Sequence, residues 1–226
     1  MNGKIVVITG ASGALGQVVL ERAVKSGATI AAIDHSARTP ASTPDRLQIG
    51  GVDLSDAAQA DAAIAAVVKQ FGKIDVLINI AGAFTFENIA DGNNKSWETM
   101  HRLNLLTALN ASRAAIPHLT SSKAGRIINI GAMGALQAGA GMGPYAASKA
   151  GVHRLTETLA AELKGKVTVN AVLPSTIDTA ANRRDMPNAD FSKWVTPDEL
   201  ASVILFLASD AASALTGALL PVSGRV

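Results

Sequence analysis

Short apolar runs alternate with longer helical stretches along nearly the whole chain, and this alternation limits the fold more than any single residue does. The first run, Lys4-Ile5-Val6-Val7-Ile8-Thr9, is β-branched and apolar at consecutive positions, as a strand covered on both faces must be. A helical pattern follows from about Ala14 to Ser26 and closes at Gly27. Further strands are expected at 28–33, 47–52, 74–79, 126–130, 166–173 and 218–222, with helices at about 56–71, 94–119, 143–164 and 196–208. Pro117 must bend or end the 94–119 helix. Thr196-Pro197-Asp198-Glu199 supplies an N-cap followed by proline at the first helical position.

These elements predict an α/β fold: a Rossmann-like, doubly wound parallel sheet of about seven strands with helices on both faces. The 226 residues suit one large domain, 1–226, which buries enough surface to need no covalent staple. The absence of cysteine removes thiolate catalysis, thiolate metal sites and disulfides together. The four histidines fall in no metal-ligand spacing, so no metal is expected. A net charge of +2, spread without long like-charge runs, gives no reason to expect nucleic acid. No apolar stretch reaches membrane-spanning length and Met1 to Lys4 lead straight into a strand, so a cytoplasmic protein without a membrane partner is expected. Two stretches break the rhythm: the polar, proline-containing loop 37–45, and 174–195, long enough to be a lid over a substrate.

The first turn reads Thr9-Gly10-Ala11-Ser12-Gly13-Ala14-Leu15-Gly16. Glycines between a strand and a helix let a pyrophosphate approach the N–H groups of the helix start, where the macrodipole favours anions. Asp34 closes the second strand, where a carboxylate grips the adenosine ribose hydroxyls and repels a 2′-phosphate. NAD(H) is therefore the expected cofactor, with NADP(H) left open because Arg38 lies close by. Tyr145, the chain's one tyrosine, precedes Lys149 by four residues in a helical pattern, which stacks the pair on one face. An ammonium beside a phenol favours phenolate, so the tyrosine pKa is expected to fall toward working pH, as a proton donor requires.

These motifs, in this order, resemble the short-chain dehydrogenases/reductases over essentially the whole length. The match runs through Thr9-Gly10 to Gly16, Asp53-Leu54, Asn79-Ile80-Ala81-Gly82, Asn104, Tyr145-Ala146-Ala147-Ser148-Lys149 and Pro174 to Thr179. The resemblance implies that Gly10, Ser12, Gly13, Leu15 and Gly16 surround the pyrophosphate side of the cofactor, that Asp53 and Leu54 meet the adenine, and that Asn79, Ala81 and Gly82 lie along it. Pro174, Ile177 and Thr179 would cover the nicotinamide. Tyr145 would be the general acid, Lys149 would hold the nicotinamide ribose, and Asn104 would anchor a proton-relay water. It further implies a homodimer or homotetramer through the helices at 94–119 and 143–164.

The chain departs from the family at three places. Ala14 replaces a glycine, Ile80 an asparagine, and Ala132 the serine that donates to the substrate carbonyl. Such a donor supplies about 3 to 4 kcal/mol of barrier lowering, so the chain is either a poor ketone reductase or acts on a substrate that needs less polarisation. From Gly131 to Trp194 the sequence is similar to the dihydropteridine reductase branch, which implies NADH-dependent reduction of a quinonoid dihydropterin. Phe84 would then offer a flat wall to the pterin or serve as an ordinary loop phenylalanine, and Met186 and Trp194 would meet the substrate. Trp194 and Phe191 are read as parts of the lid or as residues docked on the core. Arg183 and Arg184 are read as solvated charges or cofactor-phosphate contacts. The alternatives are a generic reductase or dehydrogenase of a small carbonyl, alcohol or quinone, and a dinucleotide-binding regulator without turnover.

Overall fold

A computed structural model describes residues 1–37 and 42–225; Arg38, invoked above for phosphate binding, lies outside the described residues. Seven strands form one parallel sheet: β1 (Ile5–Thr9), β2 (Thr29–Ile33), β3 (Arg46–Ile49), β4 (Val76–Asn79), β5 (Gly125–Ile130), β6 (Val167–Pro174) and β7 (Leu219–Val222). Their spatial order is β3-β2-β1-β4-β5-β6-β7, so the winding direction reverses between β1 and β4. In an open sheet of this kind the ligand crevice opens at the carboxyl ends of the strands flanking that reversal.

The apolar runs are continuous because each strand feeds two cores. Val6 and Ile8 of β1 point into one core, roofed by α1 (Ala14–Lys25) and α7 (Pro197–Ala208). Ile5 and Val7 point into the other, with α2 (Ala57–Phe71), α4 (Thr107–Ser121) and α5 (Gly143–Glu162). A strand with one wet face would alternate instead.

Helix starts are handled in two ways. The Asp56 carboxylate caps α2 by accepting from the N–H groups of Ala58 and Gln59. Thr196 and Glu199 close a reciprocal capping box at α7, beside Pro197. At α1 the capping position is Gly13, which brings no side chain to its first turn.

The expected 94–119 helix differs from the observed path. It comprises α3 (Asn94–Met100), a π-helical stretch at His101–Leu106, and α4, which continues past Pro117 to Ser121. Pro117 therefore neither ends nor breaks the helix in its own turn. The hydroxyls of Thr120 and Ser121 bond to carbonyls at 116 and 117, occupying acceptors in the last turn. The third strand is shorter than expected, because Gly51 turns the chain at positive φ. The 174–195 stretch is not irregular throughout: it folds into α6 (Ala180–Asp185) and a 3₁₀ turn at Phe191–Lys193. No helix among the described residues is long and apolar enough to cross a membrane.

Candidate active site

The segments leaving β1, β2, β3, β4, β5 and β6 converge on one cleft of about 1040 Å³. That volume exceeds what a drug-sized ligand occupies and leaves room for a dinucleotide with a small second molecule. Gly10, Gly13, Leu15, Gly16, Asp34, Asp53, Leu54, Ala81, Gly82, Ala132, Tyr145, Lys149, Pro174, Ile177, Thr179, Phe84 and Met186 all line it.

Two glycines make the cradle possible. Gly10 has φ +66°, and a Cβ there would sit 2.7 Å from the Ala81 nitrogen. A Cβ on Gly16 would overlap the Gly10 carbonyl oxygen. Neither position admits a side chain without moving backbone. Thr9 completes the junction, its hydroxyl accepting from the N–H groups of Ile80 (3.1 Å) and Ala81 (3.2 Å). The Asp34 carboxylate accepts from the Ser12 N–H (2.8 Å) and the Ser36 N–H (2.9 Å), which fixes a negative charge at the end of β2. Asp53 accepts from the Ser55 hydroxyl (2.6 Å), which holds its carboxyl below the usual range, and Arg102 adds an ion pair at 2.9 Å. An open first helical turn, a glycine cradle and a carboxylate at the end of the neighbouring strand are the parts a nicotinamide dinucleotide needs, and these residues fit it.

Asn79 does not face the cleft. As the last residue of β4 it shares the face of Leu77, and its amide donates to Ser112 (3.1 Å) and Asn129 (2.9 Å) inside the protein. Period-two alternation turns it inward. Ser12 is also outside the lining, at the rim, where it reaches Asp34 through its backbone. Asn104 is buried in the π-helical stretch behind the wall. Its Oδ1 accepts from the Ala83 N–H (2.8 Å), while its amide donates to the Ala83 carbonyl (3.0 Å) and the Ser148 hydroxyl (2.9 Å). Its side chain anchors the 82–83 turn rather than entering the cleft. Trp194 is only 7% exposed and packs on Phe191 with ring centres 4.8 Å apart. Val195 pairs with residues 176–178, and Trp194 is not among the residues lining the cleft. Arg183 forms a two-pronged pair with Asp178 (2.6 and 2.7 Å) and lies over the Phe191 ring, so it is committed within this segment.

Tyr145 and Lys149 share one face of α5 and both line the cleft. The Lys149 ammonium donates to the Ile130 carbonyl at 2.7 Å. Burial pushes the Tyr145 hydroxyl up to about 12 and pulls Lys149 down to about 8. The expected fall of the tyrosine pKa is thus reversed in the free protein. Both groups lose water, and burial penalises the phenolate of one and the ammonium of the other. The phenol is therefore neutral at pH 7, the form that gives a proton away.

Sequence reasoning missed several residues. Phe86, Met133 and Met142 line the cleft beside Phe84 and Met186, and the Phe86 ring covers Gly141. Phe84 stands edge-on to Tyr145 with ring centres 4.9 Å apart. His153, one turn beyond Lys149, accepts the Ala132 N–H at its Nε2 (3.3 Å), and burial holds its pKa below the usual histidine value. Only its spacing from Tyr145 and Lys149 could have drawn attention to it.

Known proteins match this arrangement. The 3-oxoacyl-[acyl-carrier-protein] reductase FabG of Thermotoga maritima is 30% identical over 240 residues, covering 99% of this chain and 98% of that protein. Carveol dehydrogenase from Mycobacterium avium, solved in complex with NAD, superposes with a TM-score of 0.88 at 28% identity, covering 100% of this chain and 98% of that one. The 3-ketoacyl-(acyl-carrier-protein) reductase of Brucella melitensis, complexed with NADH, gives 0.87 at 28% identity, covering 99% and 98%. These relatives do not point to the dihydropteridine reductases, so the likeness seen from Gly131 to Trp194 assigns no branch. The family profile described as short chain dehydrogenase matches residues 4–190, and the chain belongs to that family of oxidoreductases.

Proposed function

We propose that this protein is an NADH-dependent reductase of a small carbonyl compound, with Tyr145 as proton donor. The observation that carries the reading is the presence, in one cleft, of the glycine cradle, the Asp34 carboxylate and the Tyr145–Lys149 pair. When bound, a reduced nicotinamide supplies the hydride. Gly10 to Gly16 hold its pyrophosphate at the N-terminus of α1, and Asp34 accepts from the adenosine ribose, which favours NADH over NADPH. Asp53 and Leu54 border the adenine, while Pro174, Ile177 and Thr179 close over the far end. Lys149 holds the nicotinamide ribose. Asn104 fixes the turn at Ala83 and with it the position of Gly82, against which it packs. The Tyr145 hydroxyl gives its proton to the carbonyl oxygen as the carbon is reduced, then recovers one from solvent.

A quinonoid dihydropterin remains the second reading, favoured by Ala132, since such a ring needs no extra donor. Association as a homodimer or homotetramer through the segments 94–119 and 143–164 belongs to the same proposal; light scattering at micromolar concentration checks it. The reductase reading is tested by Tyr145→Phe. Turnover should fall about 10²- to 10⁴-fold while NADH binding, followed by fluorescence, is retained. Unchanged turnover would remove Tyr145 from the chemistry, and NADH binding without turnover of any carbonyl would make the chain a dinucleotide-binding regulator.

A further inference from the structure

The cleft has two ends of opposite character, and the substrate end carries a signature of its own. Phe84 and Phe86 come from the segment after β4, Met133 and Met142 from the β5–α5 connection, and Met186 from the end of α6. Phe84 and Phe86 are 58% and 65% exposed, unusually open for large aromatic side chains. The charged and imidazole side chains among the described lining residues are Asp34, His35, Asp53 and Lys149, none of them on these segments. Aromatic faces and adaptable thioethers suit a flat apolar body and offer nothing to an anionic handle.

The donor inventory at this end is equally specific. Ala132 brings no hydroxyl, and its backbone N–H, the other donor at that position, is held by the His153 ring. Tyr145 is the hydroxyl beside the aromatic wall, while Ser175, Thr176, Thr179 and Asn182 line the cleft from the segment after β6, where the Ser175 hydroxyl donates to the Ser223 carbonyl and the Asn182 amide to the Ile177 carbonyl. A carbonyl that meets Tyr145 with no hydroxyl at position 132 must already be electron-poor.

Resting on the reductase reading above, we infer that the substrate is a neutral, planar quinone. A pterin would leave its amide and amino groups facing thioethers and phenyl rings, whereas a carbocyclic quinone has only two carbonyl oxygens to satisfy. The hydride adds to a quinone carbon as the dihydronicotinamide is oxidised, and one oxygen takes the Tyr145 proton. Aromatisation releases the carbon-bound hydrogen to solvent as a proton while the second oxygen takes one up, giving the hydroquinone. The aromaticity gained supplies the driving force that an extra donor would otherwise provide.

The test uses the full chain and 2-methyl-1,4-naphthoquinone, with cyclohexanone, a 3-oxoacyl-CoA thioester and quinonoid dihydropterin as comparators. Binding to the cofactor-free protein is read by calorimetry, and NADH oxidation is measured against the Tyr145→Phe protein to remove the uncatalysed rate. The quinone should bind without cofactor and give a kcat/KM at least about 100-fold above each comparator, the scale of one missing donor. Phe86→Ala should raise the quinone KM by a larger factor than it lowers kcat. Ala132→Ser should raise the ratio of ketone to quinone turnover by about tenfold or more. Equal or better turnover of any comparator, or an unchanged ratio in Ala132→Ser, would overturn the quinone assignment and leave the reductase standing. Failure of NADH to bind would overturn both.

Discussion

The two ends of the cleft were built under different constraints. At the glycine-cradle end almost every polar group already has a partner: Asp34 spans Ser12 and Ser36, Asp53 is held by Ser55 and Arg102, and Thr9 ties down the 80–81 turn. At the aromatic end the side chains are large and apolar, with Phe84, Phe86 and Met186 open to solvent. A preorganised polar cradle binds one ligand chemistry, and its residues are tightly specified. An apolar mouth on converging loops changes what it accepts by exchanging a few side chains, with little effect on the frame.

The most severe way to break the first end is Gly10→Ala. The left-handed backbone and the contact with Ala81 together should weaken NADH binding by about 100-fold or more, read by fluorescence titration, with a lowered melting temperature. Next in size is Lys149→Met at the junction of the two ends. Lys149 is depressed to about 8 from an ordinary value near 10.5, so the folded protein bears the cost of a buried charge, on the order of 3 kcal/mol, below pH 8. Between about pH 8 and 10 the unfolded chain binds more protons, so the wild type gains stability as pH rises. The melting-temperature difference, Lys149→Met minus wild type, should therefore shrink across that window, although turnover is lost; a pH-independent difference would show that burial of the ammonium is not what separates them.

Asp34→Ala comes third. Removing an acceptor for charge-assisted hydrogen bonds should cost NADH about 10- to 100-fold in KM and narrow its advantage over NADPH, as steady-state kinetics with both cofactors would record. The smallest effect is expected from Thr196→Ala at the capped start of α7, about 1 kcal/mol by denaturant unfolding with cofactor affinity untouched. Loss of NADH binding in that variant would erase the distinction between a helix start serving stability and one serving a ligand.

The frame was readable because it depends on short-range patterns. Continuous β-branched runs reported strands buried on both faces, and Thr196-Pro197 reported a helix start. What escaped depends on neighbours distant in sequence. The π-helical turn at 101–106 is stabilised where Leu105 meets Gly151 and Asn104 meets Ala83, contacts that periodicity does not encode. Its place in a motif points Asn79 at the cofactor, although Leu77 two residues earlier already marks its face as the interior. For Trp194 the sequence leaves a lid and a residue docked on the core both open, and its burial beside Val195, which pairs with 176–178, decides for the second. Phe84 and Met186 are legible as substrate residues, but Phe86, Met133 and Met142 are not, because the mouth is assembled from three separate segments. The Tyr145 pKa went the other way because spacing shows that an ammonium is near and says nothing of the water both groups lose.

The junction between Thr9 and the Ile80–Ala81 turn also bears on synthesis. During translation β1 can pair with β2 early, but its other edge stays open until β4 has left the ribosome, some seventy residues later. Until then the glycine turn has no floor, and the nascent chain offers the dinucleotide only half a seat. The cofactor can therefore stabilise a chain that has grown past this crossing, but it gives no help to a shorter one.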